Sequence, residues 1–331
     1  MIITRTPFRV SFFGGGTDYP VWFQEHPGAV LATTINKYCY ISCRPLPPFF
    51  EHKSRIVWSQ IELVQDRTEI RHPAVREALA FLGIDVGIEL HHNGDLPARS
   101  GVGSSSAFSV GLLHAFRALR GEMITKTELA RDAIHLEQDL LRESVGCQDQ
   151  VMTAIGGLAR IEFFGHNDFR VVPVVTSAER VADLQRHLML FFTGFARNAS
   201  DIAREQVQVT RHRIEELKHI YEMVEEGTAI LTSERPLDAF GALLHESWIL
   251  KRSLTHLVST PEIDAMYEAA RAAGATGGKV LGAGGGGFML LFVRPERQAA
   301  VRARLAPLLE VPFAFDRGGS ELVYYEPEGR R

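Results

Sequence analysis

The sequence has 331 residues, of which 45% are hydrophobic and 23% charged, a composition typical of a globular protein large enough for two domains. Its formal net charge of -4 and pI near 6.4 give no sign of nucleic-acid or membrane binding, and no apolar run approaches the roughly 18 residues of a membrane span. Without a signal-peptide pattern or a disulfide framework, we expect a cytoplasmic protein with small-molecule partners, for which a homodimer is one conceivable assembly.

The first half of the chain is predicted to mix strands and helices. β-branched and aromatic runs predict strands over residues 9–13, 29–35, 38–43, 55–60, 86–92 and 160–164. Apolar spacing and terminal Pro and Gly signals predict helices over residues 72–83, 108–119, 126–143 and 148–157. In the predicted strand 86–92, Val86, Ile88 and Leu90 should share one face.

The second half begins with a predicted polar connection over residues 165–186, which suggests a domain boundary. It is followed by strands predicted over 187–194, 287–293, 311–315 and 321–326, and by helices over 200–224, 236–254, 261–274 and 295–309. This order predicts an α+β fold with two domains, residues 1–170 and 171–331.

A glycine- and serine-rich segment, "DLPARSGVGSSSAFSV", joins a predicted strand to a predicted helix at residues 95–110. Free N–H groups and the dipole at a helix start favour an anion, and Gly101 and Gly103 let the backbone approach it closely. Ser104, Ser105 and Ser106 add hydroxyl donors. The segment therefore predicts a phosphate-binding loop, with a plain serine-capped helix as the alternative.

Two better-known phosphate motifs do not fit the sequence. The loop lacks the Gly-Lys-Ser/Thr of a Walker-type P-loop. Both "GVGSSS" and "GAGGGG" approach the dinucleotide fingerprint, but the first lacks the expected second strand and the second leads into a predicted strand rather than a helix.

Three glycine-rich motifs occur in order along the chain: "TPFRVSFFGGGTDYP", "DLPARSGVGSSSA" and "KVLGAGGGG". Together they resemble the motifs of the GHMP kinase superfamily, over nearly the whole chain. The resemblance implies a ribosomal-protein-S5-domain-2-like α/β domain over residues 1–170 and a ferredoxin-like α+β domain over 171–331. It also implies phosphoryl transfer from ATP with Mg²⁺. The implied ATP-binding residues are Pro97, Gly101, Gly103, Ser104, Ser105 and Ser106.

The same resemblance implies roles for four further side chains. Asp149 in "GCQDQ" matches the catalytic aspartate, which orients the acceptor hydroxyl and takes its proton, and Arg9 matches the basic residue beside it. Ser105 and Glu137 match the ligands of Mg²⁺. From the residues alone, Asp149 could instead cap a helix that begins near Val151, and Glu137 could lie on a solvated helix face.

The first motif resembles the sugar-binding "TDY" of galactokinases at Thr17 and Asp18. Gly15 and Gly16 replace the Glu-His of those enzymes, which implies a bulkier acceptor or different hydroxyl contacts. The third motif is expected to contribute Gly284 and Gly285 to the same acceptor site.

Segments such as "FFTGFARNAS" and "SWILKRSL" are similar to those of the D-glycero-D-manno-heptose 7-phosphate kinases. That similarity implies phosphorylation of the anomeric hydroxyl on the bacterial route to GDP-heptose, with Arg197 and Lys251 binding the sugar phosphate. The alternatives are another anomeric sugar kinase, of the fucokinase or galactokinase type, and a non-catalytic sugar sensor. Trp58 in "RIVWSQ" is either a stacking partner for adenine or a core residue.

Overall fold

The structure is a computed structural model that describes residues 1–194 and 199–326, with side chains described for 1–194 and 202–326. The strands are β1 (Ile2–Phe13), β2 (Gly28–Pro45), β3 (Ser54–Val57), β4 (Ile61–Val64), β5 (Ile88–Gly94), β6 (Leu158–Phe164), β7 (Asp168–Pro173), β8 (Leu188–Phe192), β9 (Ala275–Val280), β10 (Phe288–Val293), β11 (Leu309–Glu310), β12 (Phe315–Asp316) and β13 (Glu321–Tyr325). The helices are α1 (Pro20–Phe23), α2 (Pro73–Phe81), α3 (Ser104–Leu119), α4 (Lys126–Ile134), α5 (Gln148–Ile155), α6 (Ala178–Arg186), α7 (Ala199–Val209), α8 (Ile214–Leu231), α9 (Asp238–Leu254), α10 (Pro261–Ala273) and α11 (Gln298–Leu305).

The larger sheet of the described chain has the order β13-β1-β2-β5-β3-β4, with β6 and β12 also paired to β2 and β7 paired to β6. The 18 residues of β2 are long enough to pair with β5 at one end and with β6 at the other. Helix α3 packs on β1 and β2, and its apolar face is fully buried there. Strand β1 and helix α3 thus form the rigid base from which the first two glycine-rich motifs project.

The smaller sheet has the order β11-β8-β10-β9, and helix α9 packs on β9. Every residue of β10 is buried, as expected for a central strand that is covered on both faces. The third glycine-rich motif is the connection between β9 and β10. The predicted α+β class is confirmed.

Several predicted boundaries are corrected. The supposed polar connection 165–186 contains β7 and α6, which bury little beyond Phe169 and Leu184 and therefore show weak apolar patterns. The predicted helix 200–224 is broken by a 3₁₀ turn at Thr210–His212, and the predicted helix 126–143 passes into a π-helical turn at His135–Leu140. Val86 precedes β5 and is 58% exposed, so it does not share the buried face of Ile88.

The end of the chain returns to the larger sheet. Strand β13 pairs with β1 and β12 pairs with β2, whereas the smaller sheet is built from residues between 188 and 310. The domain boundary near residue 170 stays a prediction. The strand pairing shows that the last two strands belong to the larger sheet, which is otherwise built from residues 2–173. Across the described residues, no helix combines the length and the apolar character needed to cross a membrane.

Candidate active site

The three glycine-rich motifs, distant in sequence, meet in the structure. A Cβ on Gly282 would lie 2.6 Å from the Cα of Gly101, and one on Gly287 would lie 2.1 Å from the carbonyl oxygen of Ser100. The Phe288 N–H donates to that same carbonyl at 3.1 Å. Backbone contact this close leaves no room for side chains, which explains the glycines in the second and third motifs.

The first motif joins this cluster through Arg9. The Arg9 N–H donates to the carbonyl of Val102 at 3.0 Å, and its guanidinium Nη1 donates to the carbonyl of Gly101 at 2.5 Å. The arginine is 2% exposed, so its charge is held at the base of the predicted phosphate loop, residues 97–106.

Helix α3 begins directly after Gly103, whose φ of 74° is left-handed. The first N–H to bond within the helix is that of Ala107, so the N–H groups of the three preceding serines remain for an anion. The Ser104 hydroxyl accepts the Arg99 N–H at 3.0 Å, and the Pro97 carbonyl accepts the Ser100 hydroxyl at 2.6 Å. These bonds hold the loop in place, and its role in binding ATP stays a prediction.

Arg9 and Asp149 form a bidentate ion pair. Nε and Nη2 of Arg9 each donate to one carboxylate oxygen of Asp149 at 2.7 Å. Asp149 lies in the first turn of α5, which begins at Gln148, and its side chain is 24% exposed while that of Arg9 is 3% exposed. Because the carboxylate bonds Arg9, the alternative of a helix-capping role is not supported, and the Asp149 side chain stays partly exposed.

Ser106, the neighbour of Ser105, is the serine that contacts Glu137, while the metal pair of Ser105 and Glu137 stays a prediction. Glu137 is 1% exposed, and the hydroxyl that donates to its Oε2, at 2.9 Å, belongs to Ser106. Ser105 is exposed, because a step of one residue turns a helix by about 100° and places neighbouring side chains on different faces. The burial of Glu137 also excludes the solvated helix face considered from the sequence.

Glu137 has the properties of a ligand for a hard cation. Its Oε2 also accepts the Gln150 amide, and among the described residues its buried Oε1 has no well-formed hydrogen bond, although Ser109 is close enough to lower the pKa of the carboxyl. Loss of hydration raises the pKa of Glu137 to about 7, against the lowering effect of its hydrogen bonds. A buried acceptor left unpaired is costly unless a cation occupies it, so Glu137 and Ser106 fit Mg²⁺.

We expect Glu137→Gln to stabilise the metal-free protein at pH 8 and to change it little at pH 4. Because the folded-state pKa is raised, the carboxyl stays protonated at low pH, and its charge becomes a cost as pH rises from about 4.5 through 7. The gain above pH 7 should be on the order of 3 kcal/mol. Unfolding in urea at both pH values, in EDTA, tests this; an equal effect at the two pH values would contradict it.

The loop predicted to bind the acceptor sugar, residues 14–19 (the acceptor loop), is stabilised by hydrogen bonds within the loop and to β2. The Thr17 hydroxyl donates to the carbonyls of Gly14 and Ala29 at 2.8 and 2.9 Å, so it supports the loop and is not left over for a ligand. Asp18 is 1% exposed and accepts the Gly16 N–H at 2.9 Å. Burial, and to a smaller extent the charge of Asp149, raises the pKa of Asp18.

Two of the glycines predicted to lie in the acceptor-sugar site also make close backbone contacts. A Cβ on Gly284 would meet the carbonyl of Val258 at 2.5 Å, and the N–H of Gly285 donates to that carbonyl at 2.8 Å. Gly15 is different, because the nearest atom to its Cβ position is the Gln148 amide nitrogen at 3.8 Å. The loop is therefore open at Gly15, beside Gln148.

Two buried lysines contact the backbone beside the glycine-rich motifs. Lys251 of α9 is 6% exposed and donates to the carbonyl of Gly282. Lys279 of β9, which sequence reasoning missed, is 3% exposed and donates to the carbonyl of Phe12 at 2.9 Å. A lysine inside an apolar strand directly before "VLGAGGGG" was the available signal. Arg197 lies outside the described residues.

Trp58 is half-buried, and its indole N–H donates to Oε1 of Glu62 at 2.8 Å. Its ring meets His72 edge-on at 5.0 Å, and His72 stacks on Phe108 of α3 at 4.7 Å. The tryptophan thus belongs to an aromatic cluster that packs on α3, the helix after the predicted phosphate loop. Its stacking on adenine stays a prediction.

Comparisons with known proteins agree with this geometry. The family model described as the GHMP kinases N terminal domain matches residues 69–157, and the model described as GHMP kinases C terminal matches residues 228–307. A D-glycero-alpha-D-manno-heptose 7-phosphate kinase of Campylobacter jejuni is 28% identical over 323 residues, covering 90% of this chain and 91% of its own.

A bifunctional fucokinase/GDP-fucose pyrophosphorylase of Arabidopsis thaliana is 27% identical over 90% of this chain, which spans 30% of that longer protein. Among solved structures, a D-glycero-D-manno-heptose 1-phosphate kinase of Bacteroides thetaiotaomicron superposes with a TM-score of 0.81 at 23% identity, covering 98% of this chain and 99% of its own. The last likeness supports the fold.

Proposed function

The chain belongs to the GHMP kinases, and on that basis we propose that it phosphorylates the anomeric hydroxyl of a heptose phosphate with ATP. The kinase class follows from the family, and the family uses an alcohol as acceptor. The observation that carries the proposal is the Arg9–Asp149 pair, which lies at the base of the predicted phosphate loop and beside the acceptor loop.

In the proposed reaction, the anomeric oxygen attacks the γ-phosphorus of ATP and forms the new O–P bond. The bond from that phosphorus to the bridging oxygen of the β-phosphate breaks, and ADP leaves. Asp149 accepts the hydroxyl proton on a lone pair that Arg9 does not use. The buried guanidinium of Arg9 both holds Asp149 in place and offsets negative charge near the transferring group.

Glu137 and Ser106 are the residues that would hold Mg²⁺, which would neutralise charge on the phosphates of ATP. The N–H groups at the start of α3 would bind phosphate oxygens, and the ring of Trp58 would stack on adenine. Gln150 donates to Glu137 from the residue next to Asp149, so one helix turn positions both carboxylates.

The proposed acceptor is D-glycero-D-manno-heptose 7-phosphate, which would give the 1,7-bisphosphate in bacterial GDP-heptose synthesis. The similarity to the Campylobacter jejuni enzyme over nearly both full lengths supports this acceptor. Asp18 is proposed to accept bonds from sugar hydroxyls, and the open side of the loop at Gly15 suits a larger sugar. Arg197 is proposed to pair with the 7-phosphate.

A fucokinase is the second candidate, because the Arabidopsis thaliana relative also aligns over 90% of this chain. Fucose carries no phosphate, so the two candidates differ by about two negative charges on the acceptor. The same charge difference provides the test.

We expect heptose 7-phosphate to be used with a kcat/KM at least about tenfold above that of the unphosphorylated heptose and of fucose. A charge-assisted contact amounts to about 10- to 150-fold, and Arg197→Ala should raise KM for the sugar phosphate by that factor while leaving KM for ATP nearly unchanged. ADP release with each sugar, for wild type and variant, measures this. Faster turnover of fucose would replace the heptose assignment, and equal KM changes would remove Arg197 from the phosphate.

A further inference from the structure

Two buried lysine side chains have no carboxylate partner among the described residues. Lys251 and Lys279 are 6% and 3% exposed, and each donates to one backbone carbonyl. Neither forms an ion pair within 4.0 Å with a carboxylate of the described chain. An ammonium group can donate three hydrogen bonds, so both lysines retain donors in a place where unpaired charge is costly.

Their backbone contacts place both lysines at the reaction centre. Lys251 donates to Gly282, whose backbone packs on Gly101, and Gly101 accepts the Arg9 guanidinium. Lys279 donates to Phe12, three residues beyond Arg9 on the same strand. The two lysines therefore lie where the phosphate loop, the third motif and the catalytic pair meet.

Cationic side chains outnumber carboxylates in the surroundings of the two lysines. Arg9, Lys251 and Lys279 are three potential cations, and Asp18 and Asp149 are the carboxylates that act on them. Both oxygens of Asp149 already accept from Arg9, and Asp18 is turned to backbone N–H groups. An added anion would correct the excess of positive charge.

Burial and, after it, neighbouring positive charge lower the pKa of both lysines. Burial, followed by the charge of Arg9, lowers the pKa of Lys251 to about 8, although Asp18 and Asp149 oppose the shift. Burial, followed by the charges of Lys251 and Arg9, holds the pKa of Lys279 well below its ordinary range. The approach of an anion favours the protonated form of both groups.

We propose that Lys251 and Lys279 form a two-lysine site that binds the transferring phosphoryl group. This deepens the proposed function and rests on its catalytic pair, but it is independent of which sugar accepts the phosphate. It also moves Lys251 from the predicted contact with a distal sugar phosphate to the centre of the reaction, because its contact with Gly282 lies against the phosphate loop.

The experiment compares the affinities for Mg²⁺-bound AMPPNP and ADP, which differ by the γ-phosphate, without any sugar. In Lys251→Met and Lys279→Met, the ratio of the two affinities should fall by at least about tenfold, the lower end of what a charge-assisted bond contributes. Lys218→Met is the matched control, since Lys218 is 52% exposed on α8 and pairs with Glu215. An unchanged ratio in folded Lys251→Met and Lys279→Met would overturn the proposal.

Wild-type protein supplies a second measurement in case the methionine variants fail to fold. A lysine with a pKa of about 8 is charged below that pH, so the affinity ratio should fall as pH rises from 7 to 9. A ratio that does not change with pH would contradict the proposal. Because no acceptor is present, neither result depends on the heptose assignment, which the sugar comparison tests separately.

Discussion

Asp149→Asn is expected to lower kcat by at least about a hundredfold while MgATP binding stays largely intact. A positioned base contributes about 10²–10⁴-fold, and an amide accepts a proton far less well than a carboxylate. The amide would also present an NH₂ group to Arg9, which now donates to both carboxylate oxygens at 2.7 Å. Arg9 would thus keep its buried charge but lose one of the two acceptors that Asp149 provides.

Steady-state kinetics with saturating ATP and sugar measure the loss, and nucleotide binding is measured separately by calorimetry. Asp139→Asn is the control, because the Asp139 side chain is 58% exposed and pairs with His135 within the π-helical turn. Near-normal turnover in a folded Asp149→Asn protein would remove Asp149 from the catalytic role.

Gly101→Ala is expected to destabilise the protein by about 2–5 kcal/mol. Gly101 has a φ of 82°, where an L-residue costs roughly 1–2 kcal/mol, and its new Cβ would lie 2.4 Å from the carbonyl oxygen of Leu281. Because the obstructing atoms are backbone, relief requires a shift of the third motif, for which overpacking adds roughly 1–3 kcal/mol. The same shift should weaken nucleotide binding.

Gly121→Ala separates the cost of a positive φ from the cost of overpacking. Gly121 has a φ of 73°, close to that of Gly101, but no atom lies within 4 Å of its Cβ position. The free energy of unfolding of Gly121→Ala should therefore fall only by the cost of placing alanine at a positive φ, and nucleotide binding should not change. The free energy of unfolding in urea, measured for both variants, gives the difference; equal losses would show that contact between the second and third motifs is not tight.

Much of the candidate site could be predicted from local sequence. A strand followed by "GVGSSSA" and a helix predicts an anion site, because glycine conformation and free helix N–H groups are local properties. The motifs also identified Arg9 and Asp149, which lie 140 residues apart and meet in a bidentate pair. Their order along the chain was enough to indicate the family.

Other features needed the three-dimensional arrangement. Ser105 and Ser106 are adjacent residues of the same type, so the sequence does not distinguish them. The direction of each side chain depends on which face of α3 is buried against β1 and β2. Likewise, β7 and α6 bury too few residues to show a clear period, so their local pattern was that of a connection.

The amino-acid sequence by itself indicated the kinase class, and it predicted the phosphate loop and the pairing of Arg9 with Asp149, since each depends on residue types in a short motif or in motif order. The tertiary structure alone decided that Ser106 faces Glu137, that Lys279 bonds the backbone of β1 at Phe12, and that β13 completes the first sheet. These contacts join segments more than 300 residues apart in the case of β1 and β13, and they form because chain packing, rather than any local preference, sets which buried charges and strand edges meet.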